Sequence, residues 1–557
     1  MKKFLVLAMA ATLLMAGSAF AVQRNVSTNA LTPFPELTFT NGVQPTSTNN
    51  NDTCDIGVTP AATLLLPYFE VDTAAAAGAG ATTLWTITNT SRYPQIAHVT
   101  VWTDWSFPVL DFNIFLTGYD VQGINMFDLI VRGIIVPGTP SGTSITTVPG
   151  TAPATVTGAT PFSNTSNPNF VTSGGANVSS TCSGLPGTLD PGLVAAVRSA
   201  LTIGTGYNTG GVSCSGPVGA NHGAIAKGYV TVDVASYCST QLPTDPGGAY
   251  FVGSTASILF DNTLIGDYQQ IAPAPTGFGT AGTFDAQGNP MVHIRAVPEG
   301  GLSGASGGIP VATNLPFTFY DRYTPTGLRT ADRRQPLPNT WAARYIQGGT
   351  GTFATDYKIW REGVTSGLPS CTASGTVQLN SVIAITSLIT FDEHENATAL
   401  GGGQVCSPCA PSNVSLPETS RTASTAGVFA QPATADLGGW RYMNLSSNSS
   451  HVTTAGLVQD LTLSAQRVGF GGPNAPGTSG SRTTTQNWVI VSMYGVIGAN
   501  RLSVDFDAAW MGNGCTNATG AGAVIAPESQ RGGPLVCPTN TPSTNCGAGT
   551  LPPYVNP

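Results

Sequence analysis

The sequence predicts an all-β protein, built as a Greek-key, immunoglobulin-like β-sandwich or as two such sandwiches packed together. Three observations predict it. The segment from Ala62 to Val131 alternates apolar and polar residues with period two, the signature of strands whose side chains leave opposite sides of a sheet. Short strand-like runs then recur to Trp510 with turn residues between them and no βαβ rhythm. One stretch alone, after Asp190, reads as a convincing helix.

The chain opens with Met1 to Ala21, which has the form of a secretory signal. Lys2 and Lys3 give a charged start, Phe4 to Met15 a short apolar run, and Ala19-Phe20-Ala21 a small-x-small cleavage site. The apolar run falls short of the ~18 residues a spanning helix needs. Residues 22–53 are rich in Thr, Asn and Pro and read as a flexible leader. Residues 54–400 read as the main β-sandwich domain, 401–425 as a Gly/Pro/Ser-rich connection, and 426–512 as C-terminal strands of the same or a second sandwich. Residues 513–557 read as a Cys/Gly/Pro-rich tail.

Within the main domain, Ala97, Val99, Val101 and Trp105 fall on one face, and His98, Thr100, Trp102 and Asp104 on the other. Leu110, Phe112, Ile114 and Leu116 alternate with Asp111, Asn113 and Phe115. Asn89 to Pro94 and Ser106 to Pro108 supply turn chemistry. Together they predict a β-meander as the nucleus of the fold. Residues 137–184 are a low-complexity surface loop. Asp190 is a helix N-cap, Pro191 takes the first helical position, Leu193, Val197 and Leu201 share a face, and Gly204 ends the helix. So short a helix predicts packing on a sheet edge.

Strands are then predicted at 225–237, 257–271, 290–297, 315–323, 341–346, 357–362, 382–393, 439–445, 461–470, 488–497 and 502–510. No fixed repeat period shows, which argues against propellers and solenoids.

Composition excludes several function classes. Charged residues make up 9% of the chain, against roughly 25% in ordinary soluble domains. Hydrophobic residues at 41% argue against wholesale disorder. Past the signal only Lys227 and Lys358 remain as lysines, so no basic stripe exists to neutralise phosphates and a nucleic-acid partner is excluded. A weakly charged, hydroxyl-rich surface also lowers the barrier to self-association.

The ten cysteines are Cys54, Cys182, Cys214, Cys238, Cys371, Cys406, Cys409, Cys515, Cys537 and Cys546. An even number in an exported chain predicts disulfides, with about 945 pairings open by the same counting. Cys406-Ser-Pro-Cys409 lacks a βαβ context and a second C-x-x-C, so it reads as structural.

Runs such as LLPYFEVD, HVTVWTDW and LDFNIFLTGYDVQ give the chain its most distinctive text. On these runs it resembles a group of uncharacterised secreted bacterial proteins, patchily over Ala62 to Asn396. The resemblance implies export and no particular activity.

Motifs for chemistry are sparse. Gly304-Ala305-Ser306-Gly307-Gly308 fits G-x-S-x-G but lies in low-complexity sequence with no helix after it. Asp392, Glu393 and Glu395 form an acidic strand end that could offer hard oxygens to Ca²⁺. Thr398 stands where a zincin needs its second histidine. The five histidines are scattered, and His98 and His293 read as structural. Arg333-Arg334 reads as a surface ion-pair element.

Trp102, Asp104 and Asp111 make the strongest candidate ligand face, with Asp104 and Asp111 as an acid/base pair. Carboxylates among aromatic rings suit a glycoside hydrolase or a sugar-binding sheet. The leading expectation is nevertheless a secreted or cell-surface structural or adhesive protein without an enzymatic role and without a cofactor, Ca²⁺ at the acidic strand end being the one candidate. Carbohydrate binding or hydrolysis through the acidic, aromatic face is the alternative.

Overall fold

The structure, a computed structural model, describes residues 58–91, 95–135, 188–205, 216–235, 262–273, 284–296, 334–349, 353–362, 383–399, 415–423, 437–447 and 486–512, with short breaks and a few shorter pieces between. The segments read as signal, leader and tail, the ten cysteines, the G-x-S-x-G run and the predicted strand at 461–470 lie outside the described residues. Of the 137–184 insertion, Ser144–Ile145 is described, a two-residue strand parallel to Thr188–Leu189.

The chain forms two β-sandwiches. The first contains β1 (Thr63–Asp72), β2 (Thr82–Asn89), β3 (Gln95–Thr103), β4 (Pro108–Leu116), β5 (Val121–Asn125), helix α1 (Pro191–Thr202), β6 (Ile225–Ala235), β7 (Leu264–Pro273), β8 (Phe284–Pro290) and β9 (Val292–Ile294). A five-strand sheet, ordered β9-β1-β6-β3-β4, faces a four-strand sheet ordered β8-β7-β2-β5. The second contains β10 (Thr340–Ile346), β11 (Ala354–Arg361), β12 (Ile383–Asp392), β13 (Ala397–Ala399), β14 (Thr419–Ala423), β15 (Gly438–Ser447), β16 (Asn487–Ile497), β17 (Asn500–Asp507) and β18 (Ala509–Gly512). Its sheets run β18-β10-β15-β12-β13, with a short sixth strand Ser415–Leu416 also pairing β12, and β17-β16-β11-β14.

These two lists are one topology used twice. Every strand of the first sandwich has a counterpart nine strands later, in the same sheet position and with the same neighbours. Local geometry repeats as well. Gly228 on β6 pairs with Thr103 on β3 and Phe69 on β1; Gly439 on β15 pairs with Asp392 on β12 and Tyr345 on β10. A Cβ on Gly228 would stand 2.1 Å from the Trp102 carbonyl oxygen, and one on Gly439 2.1 Å from that of Phe391. Each glycine lets an aromatic ring of the neighbouring strand lie against bare backbone.

The turns after β3 and β12 match too. Ser106 N–H donates to the Thr103 carbonyl at 3.0 Å, and Glu395 N–H to that of Asp392 at 3.1 Å. Ser106 and Glu395 both take left-handed backbone, at φ 60° and 64°. Asn89 N–H donates to the Asp120 carbonyl as Arg361 N–H does to that of Glu418.

Several expectations are corrected. β1 to β4 are not a meander: β2 lies in the opposite sheet, and β6 separates β1 from β3. The break between sandwiches falls between Ile294 and Thr340, not at 401–425. Strands on both sides of that stretch, β12 and β15, pair directly. Phe319 and Tyr320 form a turn where a strand is predicted, and β7 begins at Leu264 instead of Ser257. β5 and β8 were not anticipated; GNP and VQGIN carry little apolar alternation to announce them. The helix follows the prediction. The Asp190 carboxylate accepts from the N–H groups of Gly192 and Leu193 at 2.8 and 3.2 Å, and Gly204 takes a left-handed φ of 71°. α1 lies against β4 and the central strand β6.

Both faces of the first five-strand sheet are closed. Leu64, Leu66, Val99, Val101, Val230 and Val232 face the four-strand sheet and form its core. The other face carries Thr63, His98, Thr100, Trp102, Asp111, Tyr229, Thr231 and Asp233, all buried. What covers it is the link between sandwiches and the four-strand sheet of the second sandwich. β1 and β6 of the five-strand sheet pack on β11 and β14 of the second sandwich, and the two four-strand sheets also meet along β8 and β17.

Candidate functional site

The face that the sequence marks as acidic and aromatic is the joint between the two sandwiches. Trp102 stacks on Tyr229, the cross-strand pair at that register, with centroids 5.6 Å apart and planes 4° from parallel. The Trp102 indole N–H donates to the Thr231 hydroxyl at 2.9 Å. From the second sandwich Trp360 meets Tyr229 edge-on at 6.0 Å, and Phe319 closes over Trp360 at 5.5 Å. The rings enclose a small cavity bounded also by Thr231, Tyr320 and Glu362.

Asp104 and Asp111 are buried as well, at 2% and 0% exposure. Asp104 fastens the loop that follows α1. One oxygen accepts from the Ala220 N–H at 3.1 Å, and the other lies 3.1 Å from His222 Nε2. The Asp104 carbonyl also accepts from the Thr419 N–H on the second sandwich. Asp111 sits opposite Thr100 at the middle of the β3–β4 pair. Trp102, Asp104 and Asp111 share one region of the molecule but present no surface to a ligand. A sugar needs an open platform, and this one is filled by the chain itself.

The ionic chemistry of the joint is concentrated around Asp233. The Arg334 Nε lies 3.2 Å from its carboxylate, with both side chains wholly buried. Thr63, Tyr250 and Tyr320 donate their hydroxyls to the same carboxylate. Burial, reinforced by the Asp233 charge, holds the Tyr250 and Tyr320 phenols well above their usual range. Arg334, read from sequence as a surface ion-pair residue, is paired in the interior instead. Sequence reasoning missed this network because its members come from five separate segments.

A second ionic group lies on the second sandwich's side. Lys358 Nζ pairs with Asp505 at 2.5 Å, both fully buried by side chain. Burial pulls the Lys358 amine down to about 8, the Asp505 charge opposing that shift. Arg421 Nε lies 2.7 Å from Asp356 and reaches to within 4.0 Å of Glu70 across the joint, while Tyr68 donates to Glu70 at 2.6 Å. The Thr419 hydroxyl donates to the Pro67 carbonyl at 2.6 Å.

The topological repeat places a second version of the predicted face on the other sandwich. Phe391 stands where Trp102 does, Trp440 where Tyr229 does, and Glu393 where Asp104 does. Phe391 and Trp440 stack at 4.0 Å with planes 9° apart. Among the described residues this face is half-exposed. A cleft of about 950 Å³ is lined by Arg344, Tyr345, Asp392, Glu393, Glu395 and Trp440 among others. The Gly438-Gly439-Trp440 run could have flagged it, since paired glycines inside a strand mark a close approach.

The acidic strand end expected to offer oxygens to Ca²⁺ therefore borders this cleft. The Asp392 carboxylate accepts from the His394 N–H at 2.9 Å and shapes the turn. Among the described residues, no group of three or more acidic, histidine or cysteine side chains is close enough to hold a metal ion. His98 and His293 have structural partners, Asn113 Oδ1 at 3.0 Å and the Gly266 backbone. Among the described residues no helix is long and apolar enough to cross a membrane. No known family model, curated protein or solved structure matches the chain.

Proposed function

We propose that the chain is an exported, non-enzymatic structural protein of the cell surface or extracellular space, able to associate with itself. One observation carries this reading. The side chains best suited to chemistry, Trp102, Asp104, Asp111, Asp233, Arg334 and Lys358, are buried, and the Asp233–Arg334 pair ties the two sandwiches together. The signal-like start supports export, and the low charge density keeps repulsion between copies small. Fractionation of producing cells, with immunogold microscopy, tests it: the protein should lie outside the inner compartment, and retention in the cytoplasm contradicts the reading.

A carbohydrate-binding role is the second reading, favoured by the open cleft that brings Trp440 and Tyr345 beside three carboxylates. It moves the acidic, aromatic chemistry from the first sandwich to its counterpart on the second. A glycan screen with the native chain and Trp440→Ala distinguishes the two. Binding that the substitution abolishes favours the sugar reading.

A further inference from the structure

Within the chain, the first sandwich uses its aromatic face as a docking floor. Trp360 and Thr419, partners across β11 and β14, are the residues that seat on it. By the same registers their counterparts on the first sandwich are Thr88 and Val121, partners across β2 and β5. Those positions are on the outside of the molecule. Val121 is 58% exposed and Tyr119, in the turn before it, 69%, two of the most exposed large hydrophobic residues among those described. The docking floor's counterpart, the Phe391–Trp440 face, is likewise half-exposed. Among the described residues the molecule thus presents a half-exposed floor and an exposed edge of matching topology, and its own joint shows how such a pair fits.

We propose that copies of this chain stack head to tail. The Thr88–Val121 edge of one copy's first sandwich seats on the Phe391–Trp440 face of the second sandwich in the next copy. Such a contact is heterologous, because two different patches meet, so it extends into an open series unless its rotation closes a ring. The same step explains why two exposed hydrophobic residues cluster at the start of β5, where a solitary protein gains nothing from them. The proposal rests on the structural, self-associating reading above. Assembly through some other face would leave that reading standing and overturn this one.

The test uses two single-face variants of the purified chain, Val121→Glu on the docking edge and Arg344→Glu on the floor. Both positions are exposed, and circular dichroism melts check that each variant folds. Native mass is read by light scattering for the unaltered chain, each variant alone and a 1:1 mixture. The expected result is a rising series for the unaltered chain, monomer for each variant, and a doubling to dimer, with nothing larger, in the mixture. A mixture that stays monomeric, or a single variant that assembles by itself, overturns head-to-tail stacking. So does an unaltered chain that assembles only when residues 513–557 are removed, since its own tail would then be the occupant.

Discussion

Arg334 and Asp233 form an ion pair at 3.2 Å in which neither side chain touches water. Arg334 precedes the second sandwich and Asp233 sits on the central strand of the first, so the pair ties the two together. Removing one partner of a buried pair leaves an uncompensated charge and costs about 3–5 kcal/mol. Arg334→Met and Asp233→Leu should each destabilise by that order, and the double change by less than the sum. Urea unfolding of the three variants measures the coupling.

Gly228 and Gly439 make a matched pair of predictions. An added methyl meets a backbone carbonyl oxygen at 2.1 Å in both cases, and backbone cannot swing aside as a side chain can. Gly228→Ala and Gly439→Ala should each cost about 1–3 kcal/mol, the range for overpacking. Thermal melts of the two variants should shift together; a neutral Gly439→Ala would break the equivalence of the sandwiches.

Asp104 works as a latch on the loop after α1. Asp104→Ala removes acceptors from the Ala220 N–H and from His222, both half-buried, a loss on the order of 1 kcal/mol for each hydrogen bond. Asp104→Asn keeps the acceptor for Ala220 and should recover part of that. Hydrogen exchange at Ala220 and proteolysis of the 216–224 loop report the difference.

Lys358 gives a pH dependence with a definite sign. Its folded amine titrates near 8 against 10.5 for the free side chain. Between those values the unfolded chain holds a proton that the folded chain has released, so this group's contribution to stability rises with pH. Below pH 8 both states are protonated and the contribution is flat. Unfolding free energies at pH 7.5 and 9.5, compared with Lys358→Met/Asp505→Leu, isolate it: the native chain should gain on the double variant as pH rises.

The proposed stacking faces are both acidic. Asp392, Glu393 and Glu395 outnumber Arg344 on one, and Asp120 and Asp267 lie near the other. Screening lowers their repulsion, so self-association should strengthen between 20 and 300 mM salt, as sedimentation would show. Weakening by salt would point to an opposite-charge contact instead.

The strands and the helix were legible because they obey local rules. Asp190-Pro191 ahead of an apolar stripe favours a helix start, and alternation from Ala97 to Trp105 favours a strand, each from neighbours alone. Which sheet a strand joins depends on partners far along the chain, so β2's crossing and β6's insertion left no local trace. Alternation also misled at the candidate site. A face made of Thr100, Trp102, Thr231 and Asp233 reads as half-exposed, yet threonine and tryptophan bury readily once their polar atoms find partners. The repeat escaped notice because the matched positions changed identity, Trp102 to Phe391 and Tyr229 to Trp440, and their spacing along the chain differs from strand to strand. Stacking survives such exchanges; letter identity does not.

The most direct single measurement is the native mass of the unaltered chain across a wide concentration series, with electron microscopy of the same samples. A mass that climbs through multiples of the monomer, with elongated particles of repeating width, is the predicted result. A strict monomer at every concentration and salt would contradict the structural, self-stacking account and leave the open Trp440 cleft as the surface to pursue.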